Sequence, residues 1–124
     1  NNWEQQKKNI EDDLDRYKKR AEELRKEAEK ARKEARKTED PTEEAKKEWE
    51  KRCKELEERA RKLEDEAKDR VNDLFDSNFF QVIYSGDNDE EEWKKEKDRA
   101  EKEIEEWFKR IKEKCEEIKK RLEQ

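Results

Sequence analysis

Apolar residues recur along this chain at helical spacing in three separate runs. In the first, Trp3, Ile10, Leu14, Tyr17, Ala21, Leu24, Ala28, Ala31 and Ala35 step by sevens, fours and threes. The second carries Ala45, Trp49, Cys53, Leu56, Ala60, Leu63, Ala67, Val71 and Leu74 at threes and fours. The third repeats the rhythm through Trp93, Ala100, Ile104, Trp107, Ile111, Cys115, Ile118 and Leu122. Such a stripe turns one narrow face of an α-helix toward a partner and leaves the charged positions off the seam to water. The pattern predicts helices over about 2–37, 41–76 and 88–123. Their near-equal lengths predict an all-α, up-down-up three-helix bundle occupying 1–124 as one domain.

The two interruptions differ in kind. Thr38-Glu39-Asp40-Pro41-Thr42-Glu43 is a short polar joint. There Asp40 is expected to cap the second helix, with Pro41 at its first position and Glu43 closing a capping box. The second interruption, Phe75 to Asp89, abandons the charge alternation. It holds the chain's one glycine, Gly86, a natural helix stop, and Asp87 with Glu90 forms another capping box. Asp76, Ser77 and Asn78 are cap formers in mid-run. They predict a kink there, followed by a short helix from about Asn78 to Tyr84, inserted between the second and third helices.

Composition sharpens the picture. Charged residues make up 60% of the chain, and Leu, Ile, Val and Phe number only 17 of 124, a balance that by itself predicts disorder. Ala, Glu, Lys, Leu and Arg, however, supply 78 residues, with one Gly and one Pro, and these are strong helix formers. The seams decide for helix. With no His, the chain lacks the usual general base and the commonest metal ligand, and two Cys do not make a zinc site. Asp87, Asp89 and Glu92 lack the ligand spacing of a calcium loop and read as a solvated helix start. The two charge signs are mixed evenly around a net charge of −5, without the basic stripe that nucleic acid requires. No apolar run is long enough to cross a membrane, and Asn1-Asn2-Trp3-Glu4 does not read as a signal peptide. The expectation is a non-enzymatic monomer without cofactor or metal.

Cys53 and Cys115 fall about 18 Å and 14 Å from helix ends that the bundle brings together. Both sit on the seam at one height, so a disulfide is expected, closing a loop of about 60 residues and contributing about 4 kcal/mol. Lys and Glu at nearly every exposed site, with Ala set against bulky Trp, read as computational design.

A designed joint would be short and polar. Here Phe75, Phe79, Phe80, Val82, Ile83 and Tyr84 crowd together. On a helix, Phe79, Val82 and Ile83 share one face, while Phe80 and Tyr84 share another, and the end of a bundle can cover one of these faces. The set reads either as a minicore over Trp3 and Trp93 or as a presented anchor of hot-spot composition. Asp76-Ser77-Asn78-Phe79-Phe80-Gln81-Val82-Ile83-Tyr84 resembles the receptor-binding helix and kinked helix of the malaria erythrocyte membrane proteins, in the alpha-one class of cysteine-rich interdomain regions. The likeness spans about 25 residues, from near Lys68 to Trp93; the family's disulfide-rich body is missing. It implies binding to the endothelial protein C receptor. By position, Phe80 matches the protruding Phe that enters the receptor's hydrophobic groove, and Phe79 matches its supporting neighbour. Asp76 and Gln81 match polar contact positions, with Asn78 and Tyr84 completing the site. The family acts outside the cell, on the infected red-cell surface. The expected whole is a synthetic bundle carrying a transplanted motif over 75–87, useful as an adhesion mimic or immunogen. Its rivals are a designed bundle with no partner and a designed binder of another protein through the same Phe pair.

Overall fold

The computed structural model describes residues 2–84 and 90–123, with the side chains of 2, 3 and 80–84 outside the description. Three helices account for almost all of it: α1 (Asn2–Lys37), α2 (Glu43–Tyr84) and α3 (Glu90–Leu122). Each helix packs on both others. Ion pairs record their order. Between α1 and α2 they join Asp13 to Arg70, Arg20 to Glu66, Glu27 to Arg59 and Glu34 to Arg52, climbing α1 while descending α2. Between α2 and α3 they join Glu57 to Lys119, Glu64 to Lys112, Lys68 to Glu105 and Asp76 to Lys97, again in opposite order. Between α1 and α3, Lys7–Glu96, Glu29–Lys114 and Arg32–Glu117 climb together.

The three seams meet in one core that runs from Ile10, Phe75 and Trp93 at one end to Ala35, Trp49 and Ile118 at the other. Small and large residues alternate across it: Ala21, Ala28, Ala31, Ala60 and Ala67 let the helices approach, and Trp49, Trp107, Phe75 and Phe108 fill the space. Phe108 is wholly buried although it lies beside the predicted seam. Asp13 is the one buried charge among the described residues; Arg70 donates to it at 2.8 Å and Arg16 pairs with it. Satisfying that carboxylate from two sides offsets its desolvation.

The first joint is capped one step later than expected. The Ala45 amide donates to Thr42 Oγ1 at 3.1 Å, and α2 starts at Glu43. Thr42 is therefore the N-cap, not Asp40. Pro41 disfavours helical backbone at Asp40 and stands outside the helix, while Glu43 and Glu44 occupy the first turn, where the helix dipole favours acids. Arg121, in the last turn of α3, ties the joint down by donating to the carbonyls of Ala35, Thr38 and Glu39.

Two further expectations are corrected. Cys53 and Cys115 are both buried and do meet across α2 and α3, but as free thiols. The Cys53 Sγ lies 4.0 Å from the Cys115 carbonyl oxygen, and the two side chains interact without standing at disulfide-bonding distance. The Cys53 side chain and burial push the Cys115 thiol well above the usual range. The second correction concerns the insertion. Helix α2 continues unbroken for 42 residues to Tyr84, so no separate short helix begins at Asn78. Asp76 and Asn78 find other partners, and Ser77 is exposed. Gly86 and the capping box from Asp87 to Glu90 fall at least partly outside the described residues, and α3 is helical from Glu90.

Candidate protein-binding site at the end of the second helix

The last ten residues of α2 follow a different composition from the rest of the bundle, and the scaffold holds their first half firmly. Val71, Phe75 and Phe79 step by four along one row of the helix. Val71 and Phe75 are buried, and Phe79 is partly buried against the core. Phe75 meets Trp93 of α3 with ring centroids 4.5 Å apart and planes tilted by 53°. Both rings are 2% exposed. Burying side chains of this size contributes about 2–3 kcal/mol apiece, before the aromatic contact itself.

Two backbone carbonyls where this stretch begins receive side-chain donors. The Trp93 indole Nε1–H donates to the Phe75 carbonyl oxygen at 3.1 Å. The Asn78 amide Nδ2 donates to the Leu74 carbonyl oxygen at 2.7 Å. Asn78 thus bonds back one turn within a continuing helix instead of starting a new one. Asp76 lies on the adjacent row with its carboxylate mostly in water, 3.9 Å from Lys97 Nζ. Ser77 is exposed. Of the predicted contact residues, Asp76, Asn78 and Phe79 are therefore gathered at this end of the bundle. Phe80, Gln81 and Tyr84 lie on the same helix, but their side chains are outside the described residues.

The arrangement offers a convex helical surface with an apolar underside, suited to protein contact. Clefts elsewhere, such as the space of about 330 Å³ over Trp107, are open grooves walled by Lys, Arg and Glu between helices. Among the described residues no group of three or more His, Cys, Asp or Glu could hold a metal ion, and no helix is long and apolar enough to cross a membrane. Sequence reasoning missed Trp93 as a donor to the site. The available signal was its place on the α3 seam, at the end of the bundle where Phe75 arrives.

No protein-family model matches the chain, and no curated protein matches it either. Among solved structures it is similar to a synthetic mimic of an EPCR-binding PfEMP1 bound to EPCR, at 90% identity. The match covers 95% of this chain and 99% of the other, with a TM-score of 0.81. The chain belongs to the synthetic PfEMP1 mimics. Agreement over nearly the whole length extends to the helical body, which the nine-residue motif alone would not reach. The regular seams, the Ala-against-Trp packing and the Lys/Glu surface are thus a designed scaffold, and the natural family to which the motif points is an extracellular one.

Proposed function

We propose that this mimic binds EPCR, the endothelial protein C receptor, through the end of α2, with Phe80 as the anchor. The observation that carries the reading is its 90% identity, over 95% of its length, to a mimic whose structure is a complex with that receptor. The motif Asp76-Ser77-Asn78-Phe79-Phe80-Gln81 supports the location. Phe80 follows Asp76, whose side chain is 77% exposed, by one helical turn, and Phe79 belongs to the row that packs on the core. In this reading Phe80 projects into the receptor's apolar groove and Phe79 supports it. Asp76, Asn78, Gln81 and Tyr84 form the polar rim that sets orientation.

The scaffold in this reading is an up-down-up bundle working as a single folded unit, a topology that the order of the ion pairs supports. Residues 75–87 are its one departure from regularity. The partnerless rival asks the whole aromatic set to be an end cap, a role that Phe75, Trp93 and Phe79 already fill. Surface plasmon resonance of the chain over immobilised receptor tests the proposal. Saturable binding with one-to-one kinetics supports it, and no response at micromolar concentration refutes it.

A further inference from the structure

The scaffold reaches into the binding helix at one point, and that point has consequences for how the site is aimed. Trp93 belongs to α3, at the far limit of the stretch that resembles the natural family and on a different helix from the Phe pair. Its indole N–H nevertheless ends on the Phe75 carbonyl, the residue immediately before Asp76. In an α-helix the Phe75 carbonyl already serves the amide of Phe79, and the Leu74 carbonyl serves the amide of Asn78. Here each of those carbonyls takes a second donor, Trp93 Nε1 at 3.1 Å and Asn78 Nδ2 at 2.7 Å. Side-chain donors entering the backbone ladder are among the few causes that set the direction of a long helix locally. One donor belongs to the helix itself. The other is anchored in a different helix, and its ring is fixed by 2% exposure and by contact with Phe75. The bond therefore ties the rotation and tilt of the α2 end to the body of the bundle.

We infer that Trp93 is a positioning residue for the receptor site: its N–H···O bond to Phe75, rather than its bulk alone, fixes the angle at which residues 76–84 leave the bundle. The inference rests on the proposed receptor-binding reading and assigns the scaffold a share of the affinity. Pre-setting the angle of a short binding segment lowers the ordering cost of association and slows dissociation.

Trp93→Phe keeps an aromatic ring against Phe75 and deletes the donor. Ile111→Val is the comparison, because Ile111 is wholly buried in α3 about five turns away and its truncation lowers stability without touching the site. Two readouts are taken on both variants: amide hydrogen exchange along α2, and dissociation rate from immobilised EPCR. Expected for Trp93→Phe is at least fivefold faster exchange confined to residues 76–84 and a dissociation rate raised about fivefold or more. Ile111→Val should leave both unchanged at the α2 end. If Trp93→Phe matches the parent in exchange over 76–84, or if Ile111→Val produces the same local change, the positioning role is overturned. Exchange reports on Trp93 even if the parent fails to bind EPCR, and that failure would refute the receptor reading separately.

Discussion

Phe108 and Trp107 are neighbours in sequence, and both are buried. A seam one residue wide accommodates one of them, so reading the third helix as a strict stripe left Phe108 outside. Ile104, Phe108 and Ile111 step by four and three, a second row that widens the buried face of α3 where it meets both other helices. Phe108→Ala should accordingly destabilise the chain by about 3–5 kcal/mol in urea titrations while leaving the end of α2 unaltered. Glu29 presents the opposite case, a surface residue with a measurable role. Hydrogen bonds from Arg32 and Lys114 lower its pKa from 4.5 to about 2. A depressed carboxylate stabilises the fold fully above the unfolded value, and the contribution fades as pH falls from about 4.5 to 2. Glu29→Gln should thus lower the urea midpoint at pH 7, with the difference shrinking as pH falls toward 2 and vanishing below it. Since the three side chains lie at the surface and are only partly covered, the effect should be about 1 kcal/mol. Paired melts of parent and variant across that window check the sign.

At the scale of elements, periodicity located all three helices, and local chemistry moved their ends. Asp40 and Thr42 are both good caps. Pro41 between them decides the choice, because it restricts the residue before it, and Thr42 then accepts the Ala45 amide. Thr42→Ala should cost about 1 kcal/mol, and Asp40→Ala should cost much less, in thermal or urea melts. The unbroken α2 was not legible, because Asp, Ser and Asn favour helix starts only when their side chains accept from backbone amides. In the structure Asn78 donates instead, and Asp76 turns toward Lys97. The matched helix lengths expected from the seams become 36, 42 and 33 residues, since the inserted segment extends α2. Seam position placed both cysteines at one height on neighbouring helices, but it does not specify the separation of the two sulfurs, which remain free thiols. The C-terminal turn of α2 is also where the design's own habits lapse. It carries no basic residue, whereas α1 and α3 both end in Lys and Arg. Local optimisation gives way where a sequence is retained for contact rather than for stability.

For the molecule as a whole, the fold was legible because a chain with so little apolar surface can bury it in few ways. Three seams of matched length leave a bundle as the consistent arrangement. The proposed site is marked by a short motif that conflicts with its scaffold, and Asp76, Asn78 and Phe79 lie at one end of the bundle. Trp93's share in it was hidden, because a tryptophan on a seam reads as core until its N–H is traced to a particular carbonyl. The central proposal is that Phe80 anchors the receptor, so Phe80→Ala tests it most directly, followed by receptor titration and thermal melting on the same preparation. The account predicts a loss of at least about thirtyfold in affinity, equivalent to about 2 kcal/mol, with a melting temperature close to the parent's. A Phe80→Ala variant that melts much earlier yet binds EPCR as tightly as the parent would contradict it.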